Sequence, residues 1–527
     1  MTLLALDHLN VQIGKPAILR DVSLTLSRGE ILGLVGESGS GKSMTALAIM
    51  GLLPDRARIS GDIMLGGLNL RHRSEREMCQ LRGNAISMIF QEPMSALNPM
   101  MTIGDQVAET LMLHRRMLRS EARSIAREKL DRVGLRAPRF PLTLYPHELS
   151  GGQRQRVAIA MAIALHPKLL IADEPTTALD VTTQAEVLNL LRDLAREEGM
   201  ALILITHDLA VVAGMADRVA VMQAGQIVET APTRTLFQRP VAPYTQALLA
   251  ASTHQPSLAT RPRAKPLLQV DNATRIYRLP RPSALSPHPE LRAVDDVSFT
   301  IHAGESLGLV GESGCGKSTL TRSILGLDAL QGGAIHLNGH PINPAMPSPQ
   351  RADMQIVFQD PYGSFNPRQK VERLVAEPFH LTGRPADWRD RVAEALREVG
   401  LSPDDKNRFI HEFSGGQRQR IAIARALIIR PKLIVLDEAV SALDVQVRAQ
   451  VLDLLSALQA THNLAYLFIS HDLSVVRAVT SRCLVMSAGR IVEEGPTEAL
   501  FTAPQNAYTQ SLIAATPRIP QHWKEPA

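Results

Sequence analysis

Two stretches of sequence decide the fold: GESGSGKS at Gly36–Ser43 and GESGCGKS at Gly311–Ser318. Both match the pattern G-x-x-x-x-G-K-[ST], in which glycines let backbone N–H groups turn toward a phosphate and the lysine meets its oxygens. The first stretch follows the apolar run Ile31–Val35 and precedes the helix-compatible run Met44–Leu53. This strand–loop–helix order is the context that the motif requires. The sequence therefore predicts two phosphate-binding loops.

The phosphate contacts of each loop are expected from its glycines, its first and last serines and its lysine. These are Gly36, Ser38, Gly39, Gly41, Lys42 and Ser43 in the first loop, and Gly311, Ser313, Gly314, Gly316, Lys317 and Ser318 in the second. The last serine of each loop is also a candidate ligand of Mg²⁺.

The chain is a tandem repeat of one domain. The string SGGQRQR begins at Ser150 and again at Ser414, 264 positions later, which is about half of the 527 residues. The two phosphate loops lie 275 positions apart, so the second half carries eleven extra residues, and the proline-rich stretch Leu279–Pro289 is the candidate insertion. We predict a first domain over residues 1–251, a linker over residues 252–266 that is rich in Pro, Ser and Thr, and a second domain over residues 267–527.

Each half has the pattern of an α/β domain. Apolar runs of strand length end at the motifs, as in Ile31–Val35, Leu169–Ala172 and Ala201–Ile205, and helix-like patterns follow them. This alternation is typical of a parallel sheet that binds ligands at the carboxyl ends of its strands. Residues 102–134 are helical in period and charged on one face, so we expect a helical insertion before Ser150.

Two apolar runs end in a pair of carboxylates. The segments LLIADE and LIVLDE end at Glu174 and Glu438. The aspartate of each pair, Asp173 or Asp437, can hold Mg²⁺, and the glutamate that follows can polarise an attacking water.

A histidine follows another apolar strand in each half, at His207 and His471, and can reach the terminal phosphate of a nucleotide. Alone, such a histidine is more often a core residue, but the paired placement favours a function. The candidate catalytic residues are Glu174, His207, Glu438 and His471.

Composition excludes several other classes of protein. Hydrophobic residues make up 45% of the chain and charged residues 21%, as in globular proteins. A net charge of +5 is too mild to indicate nucleic-acid binding. The scattered Cys79, Cys315 and Cys483 indicate neither disulfides nor a zinc or iron–sulfur site, and a reducing compartment is expected. Neither a signal peptide nor an apolar run near the roughly 20 residues of a membrane span is found, so we expect no spanning segment.

The combination of motifs resembles the nucleotide-binding domain of ABC transporters. Besides the phosphate loops, it includes Gln91 in IFQEP, Gln359 in VFQDP, the strings LSGGQ and FSGGQ, the strand-end carboxylates and the two histidines. The resemblance covers nearly the whole chain, twice. The strings FQEPMSALNP, FQDPYGSFNP and YPHELSGGQRQR, with PYTQALL and AYTQSLI in the two tails, resemble the ATP-binding subunits of peptide and nickel importers in fused form.

The resemblance implies two tandem P-loop NTPase domains, each with a RecA-like parallel-sheet core, an antiparallel β subdomain and a helical subdomain. It implies ATP and Mg²⁺ as cofactors, with Gln91 and Gln359 beside both. It further implies that the SGG turns bind ATP, each turn completing the site of the other half in a head-to-tail dimer that closes on ATP and opens after hydrolysis. The residues of these turns are Ser150, Gly151, Gly152, Ser414, Gly415 and Gly416.

The two halves differ at the place where the family stacks an aromatic ring on adenine. Tyr277 occupies it in the second half and Ile13 in the first, so stacking is expected only at the second site. Pro175 follows Glu174 in the first half, whereas Ala439 follows Glu438 in the second half. We expect this difference to affect a turn and not the chemistry.

The implied function is that of the ATP-hydrolysing motor of an importer for peptides or related small solutes. The implied partners are two integral-membrane permeases and, indirectly, a periplasmic or extracellular substrate-binding protein, with no nucleic acid. The implied location is peripheral, on the cytoplasmic face of the inner membrane, with residues 92–99 and 360–367 as candidate contacts to the permeases. The alternatives are a soluble twin-ABC ATPase acting in translation or repair, and the motor of an exporter. The short linker with few charges, and the lack of CxxC pairs and of long heptads, disfavour the first alternative.

Overall fold

A computed structural model gives the structure of the protein. It describes residues 1–91, 96–177, 179–256, 265–279, 281, 287–360, 362–441 and 443–523. These residues form two compact units. The first comprises residues 1–253 together with residues 517–523, and the second comprises residues 254–516.

The first unit contains an antiparallel sheet of order β2–β1–β4–β5 and a six-stranded sheet of order β10–β9–β3–β8–β7–β6, which is parallel except for its edge strand β10. The strands are β1 (Thr2–Ile13), β2 (Ala17–Ser27), β3 (Ile31–Val35), β4 (Ala57–Leu65), β5 (Leu68–Asn69), β6 (Ile86–Ile89), β7 (Leu169–Asp173), β8 (Ala201–Ile205), β9 (Arg218–Gln223) and β10 (Gln226–Pro232). The helices are α1 (Lys42–Met50), α2 (Glu75–Leu81), α3 (Ile103–Arg115), α4 (Arg119–Arg132), α5 (Gly151–Ala162), α6 (Val181–Glu197), α7 (Leu209–Met215), α8 (Thr233–Gln238) and α9 (Pro243–Ser252).

The second unit repeats this topology, with sheets of order β12–β11–β14–β15 and β16–β17–β18–β13–β19–β20. Its strands are β11 (Pro266–Arg278), β12 (Glu290–His302), β13 (Ser306–Val310), β14 (Gly332–Leu337), β15 (His340–Pro341), β16 (Met354–Val357), β17 (Leu433–Asp437), β18 (Ala465–Ile469), β19 (Arg482–Ser487) and β20 (Arg490–Pro496). Its helices are α10 (Lys317–Ile324), α11 (Ser348–Ala352), α12 (Val371–Val375), α13 (Phe379–Thr382), α14 (Trp388–Glu398), α15 (Gly415–Leu427), α16 (Val445–His462), α17 (Leu473–Val479), α18 (Thr497–Thr502) and α19 (Ala507–Ala515).

The parallel strands are short, continuous apolar runs because both faces of the sheet are covered. All five residues of β3, β7 and β8 are buried, as expected of a parallel sheet between layers of helices. Their carboxyl ends meet at one edge of the sheet, where the loops carry the predicted motifs. The predicted α/β fold is confirmed, and the order β10–β9–β3–β8–β7–β6 places the phosphate loop after a central strand.

The predicted helical insertion is present as two helices. Helix α3 ends at Arg115 because the next residue, Arg116, has a φ of +52°, and α4 begins at Arg119. Both pack against α5, the helix that follows Ser150. None of the helices in the part of the chain that the structure describes is both long and apolar enough to span a bilayer.

The predicted insertion lies between β11 and β12, where residues 279–289 replace the residues 14–16 that join β1 to β2. Residues 280 and 282–286 of this insertion, and residues 257–264 of the predicted linker, lie outside the described residues. The end of the chain differs from the predicted domain boundary: the ring of Trp523 packs against Phe237 of α8, with centroids 5.8 Å apart, and residues 517–523 group with the first unit.

Candidate functional site

Each phosphate loop joins a central strand to a helix through a glycine in the left-handed region. Gly41 precedes α1 with a φ of +107°, and Gly316 precedes α10 with a φ of +113°. A Cβ atom would lie 2.7 Å from a methyl of Leu19 at the first glycine and 2.1 Å from the carbonyl oxygen of Ala293 at the second. Both positions therefore require glycine, and a glycine N-cap leaves the first N–H groups of the helix uncapped by a side chain, as an anion site needs.

The loop lysines are buried and hydrogen-bonded across their own loops. Lys42 Nζ donates to the carbonyl oxygens of Gly36 and Glu37, both at 2.8 Å. Lys317 Nζ makes the same two bonds in the second loop, at 2.7 and 2.8 Å. The ammonium groups thus lie inside the loops that are predicted to bind phosphate.

Oxygen ligands suited to Mg²⁺ converge beside the first loop. Ser43 Oγ donates to Asp173 Oδ1 at 3.2 Å. Burial raises the pKa of Asp173, and the bond from Ser43 opposes this only in part. Ser318 and Asp437 hold the equivalent places, and burial also raises the pKa of Asp437. Within the described residues, no group of three His, Cys, Asp or Glu side chains is arranged so that it could hold a metal ion.

The carboxylate of Glu174 is the centre of a hydrogen-bond cluster. Gln91 Nε2 and Thr177 Oγ1 both donate to Oε2 at 2.9 Å, and His207 Nδ1 lies 3.3 Å from Oε1. Burial favours the neutral form of this glutamate, but the interactions with His207, Thr177 and Lys42 together outweigh it, so the pKa of Glu174 lies below its usual value. The group is therefore a fixed, charged acceptor that can orient a water.

Among the described residues, the equivalent carboxylate in the second unit has fewer partners. His471 Nδ1 lies 3.1 Å from Glu438 Oε1. Against the effect of burial, this contact lowers the pKa of Glu438 and raises that of His471. Ser441 Oγ donates to the backbone oxygen of Glu438, not to its carboxylate. Between the residues that the structure describes, the bond from Gln91 to Glu174 has no counterpart from Gln359.

Both glutamates stand in a strained backbone conformation. Glu174 has a φ of +46° and Glu438 a φ of +50°, a region that residues with a Cβ rarely adopt. The N–H of each donates to the end of the neighbouring strand, at Ile205 O and Ile469 O, with distances of 2.9 and 2.8 Å. Such strain persists where the surrounding structure fixes it, often at functional sites.

The SGGQ strings begin α5 and α15 with matching capping boxes. Ser150 Oγ accepts from the N–H of Gln153, whose side chain accepts in return from the N–H of Ser150, and Ser414 does the same in the second unit. Within the described residues of its own unit, neither SGG turn forms a hydrogen bond with the phosphate loop. The structure thus gathers the loop, the carboxylates and the histidine of each unit, and places the SGG turns at separate helix starts.

Tyr277 lies at the end of β11 with contacts to charged side chains. The guanidinium of Arg275 lies over its ring at 4.9 Å from the centroid, and its hydroxyl is 3.4 Å from Asp328 Oδ2. Ile13 packs partly buried against the core of the first unit. Stacking of Tyr277 on adenine stays a prediction.

Some site contacts were not anticipated from the sequence. One is the bond from Thr177 to Glu174. The others come from the tails: the hydroxyls of Tyr244 and Tyr508 accept from the N–H groups of Glu37 and Glu312 at 3.2 and 3.0 Å. The sequence signal for the tyrosines was the repeated YTQ in both tails, which alone does not indicate a contact with the phosphate loop.

Comparison with protein-family models gives two kinds of match. Residues 19–177 and 294–441 match the model described as ABC transporter. Residues 228–271 and 492–527 match the model described as Oligopeptide/dipeptide transporter, C-terminal region.

Curated proteins match this chain over most of its length and most of their own. The Peptidoglycan transport ATP-binding protein YejF of Agrobacterium fabrum is 50% identical over 94% of this chain and 92% of its own. The Uncharacterized ABC transporter ATP-binding protein YejF of Escherichia coli K12 is 48% identical over 97% of this chain and 99% of its own. The Glutathione import ATP-binding protein GsiA of the same strain is 46% identical over 98% of this chain and 89% of its own.

Proposed function

Because this chain belongs to the ABC transporter family, we propose that it is the ATP-hydrolysing motor subunit of an importer for peptides or related small solutes. The observation that carries the proposal is a constellation present in both units: a buried loop lysine, a strand-end aspartate and a glutamate paired with a histidine. The match of both tails to a peptide-transporter region, and relatives named for peptidoglycan transport and glutathione import, support this substrate class.

Each group in the constellation has a proposed role in binding or hydrolysing ATP. The loop N–H groups with Lys42 or Lys317 bind the phosphates of ATP, and the SGG turns contact the same nucleotide. Ser43, Gln91 and Asp173, or Ser318, Gln359 and Asp437, would hold Mg²⁺, and the ion would neutralise charge on the phosphate oxygens.

The chemistry of hydrolysis falls to the second carboxylate. Glu174 or Glu438 accepts a hydrogen bond from the attacking water and orients it toward the γ-phosphate. His207 or His471 holds that glutamate in its charged form through the contacts at 3.3 and 3.1 Å, and reaches the γ-phosphate with its other ring nitrogen. Tyr277 adds a stacking contact to adenine at the second site.

The motor acts through separate partners. We propose two integral-membrane permeases, a periplasmic or extracellular protein that delivers the solute, and a peripheral position on the cytoplasmic face of the inner membrane. Residues 92–99 and 360–367 are the proposed contacts to the permeases; residues 92–95 and 361 lie outside the described residues. ATP binding and hydrolysis would then alternate two states of the transporter.

Affinity purification of the tagged full chain from detergent-solubilised cells tests this proposal. The expected result is recovery of integral membrane proteins, and addition of the transported solute with its binding protein should stimulate ATP hydrolysis by the purified assembly. Recovery of ribosomes or of DNA-repair proteins in place of membrane proteins would contradict an importer and support the translation or repair alternative.

A further inference from the structure

The first peptide unit of the phosphate loop, between Gly36 and Glu37, is held at both ends. Its carbonyl oxygen accepts from Lys42 Nζ at 2.8 Å, and its N–H donates to Tyr244 Oη at 3.2 Å. Below it, a Cβ atom on Gly36 would lie 2.2 Å from the carbonyl oxygen of Met222. The peptide therefore rests directly on β9, with a lysine on one side and a tyrosine on the other.

The second unit repeats this arrangement independently. The carbonyl oxygen of Gly311 accepts from Lys317 Nζ at 2.7 Å, and the N–H of Glu312 donates to Tyr508 Oη at 3.0 Å. The sequences around the two tyrosines differ, PYTQALL and AYTQSLI, yet each tyrosine hydroxyl accepts from the N–H of the equivalent loop peptide.

The tyrosines belong to helices that are anchored to the sheet. Tyr244 is the second residue of α9, and the carboxylate of Glu229 on β10 accepts from the N–H groups of Val241 and Ala242, each at 2.9 Å. These bonds fix the start of the helix. Consequently the position of the tyrosine hydroxyl is set by the core of the unit and not by a loose tail.

The anchor is also present in the second unit. There Glu493 of β20 accepts from the N–H groups of Gln505 and Asn506 at 2.8 and 3.1 Å, and α19 begins at the next residue. In each unit, hydrogen bonds thus connect the sheet to the tail helix, and the tyrosine of that helix to the phosphate loop.

ATP binding should affect the hydrogen bonds of the lysine and of the tyrosine to this peptide differently. The lysine has to turn from the loop carbonyls to the phosphate oxygens, which removes the bond to the first carbonyl. The N–H of the same peptide donates to the tyrosine hydroxyl, and this bond does not involve the lysine. We propose that Tyr244 and Tyr508 are positioning residues, which keep this peptide in its phosphate-binding orientation after the lysine has left it.

This inference rests on the proposed function, since it concerns ATP binding by the same loops. Replacement of tyrosine by phenylalanine removes the hydroxyl and keeps the ring. The net value of one neutral hydrogen bond corresponds to a loss of about two- to tenfold in affinity. The turnover number at saturating ATP should stay within about twofold, because the carboxylates and histidines that act on water are unchanged.

Equilibrium titration of the full-length chain with radiolabelled ATP and Mg²⁺ provides the test. Tyr508→Phe is placed in a Lys42→Ala background, so that only the second loop binds, and Tyr244→Phe in a Lys317→Ala background. The expected result is a two- to tenfold higher Kd in each case, with ATPase assays of the Tyr→Phe single variants showing a higher KM and little change in kcat.

Two controls separate positioning from general damage. Tyr466→Phe removes the same atom from a buried bond to Leu455 O at 3.0 Å, away from the loop, and should lower stability without changing the Kd. Gln510→Ala removes a bond from α19 to Pro504 O at 3.0 Å and should also leave the Kd unchanged. An unaltered Kd in both tyrosine variants, or an equal rise in the controls, would overturn the inference. Absence of ATP binding by the unmodified chain would overturn the proposed function along with it.

Discussion

Replacement of the two glycines of an SGGQ string by alanine should affect the stability of the unit differently. At Gly416, a Cβ atom would lie 2.2 Å from Val447 Cγ1 on α16, and at Gly152 it would lie 2.2 Å from Thr183 Cγ2 on α6. Carbon atoms in contact prefer about 3.5–4.0 Å, so these pairs overlap by more than an ångström. At Gly415, by contrast, no atom of the described residues lies within 4 Å of the added Cβ.

Overpacking of this kind costs about 1–3 kcal/mol. For a unit of this size, each kcal/mol lowers Tm by about 2–4 °C. Gly416→Ala should therefore lower the melting temperature of the second unit by about 2–12 °C. Gly415→Ala should change stability by no more than about 0.5 kcal/mol and still reduce ATP hydrolysis, since that exposed glycine is proposed to contact ATP.

Calorimetry of the full chain, with ATPase assays on the same samples, measures both effects. A second substitution identifies the cause: Val447→Ala removes the clashing methyl, so the Gly416→Ala, Val447→Ala double variant should melt above the Gly416→Ala single variant. A Gly416→Ala chain that melts with the unmodified protein, or one that Val447→Ala does not rescue, would refute the packing argument.

Two further results are expected. Despite partial burial, the N–H groups of Val241 and Ala242 hold the pKa of Glu229 below its usual 4.5, and a lowered pKa stabilises the folded state at pH values above the unfolded-state pKa. Glu229→Gln should therefore lower Tm by its full amount at pH 7 and by less as the pH falls below 4.5. A loss of Tm that does not depend on pH would contradict the role of the charge. Maleimide should label the exposed Cys79 in the native chain, and Cys315 and Cys483 only after unfolding. Cys315 and Cys483 are buried, and burial raises the pKa of the Cys483 thiol to about 12. Rapid labelling of all three thiols in the native chain would contradict this packing.

Strands β3, β7 and β8 were predicted to within one residue, because strands buried on both faces are continuous apolar runs in the sequence. Helix α1 was predicted over residues 44–53 and spans Lys42–Met50. Its start depends on the left-handed Gly41 and its end on Gly51 at a φ of +64°, and apolar periodicity encodes neither conformation. The sheet of β1, β2, β4 and β5 was expected only through the family resemblance.

The finer geometry of the site could not be predicted, because it depends on contacts between distant positions. Gln91 and Gln359 occupy matching strings, yet a bond to the strand-end glutamate is present for Gln91 alone among the described residues. The contact between Tyr244 and Glu37 spans 207 positions. Motif spacing identified which residues gather at the sheet edge, but hydrogen-bond partners arise from the packing of the tails and loops around it.

The rate of ATP hydrolysis in the two single glutamate variants tests the central claim most directly. Glu174→Gln and Glu438→Gln each keep the size and the hydrogen-bonding ability of the side chain while removing the charge that orients water. Each variant should still bind ATP, and each should hydrolyse it at least about tenfold more slowly than the unmodified chain in the assembled transporter. Turnover equal to that of the unmodified chain in either variant would contradict the account of two catalytic sites.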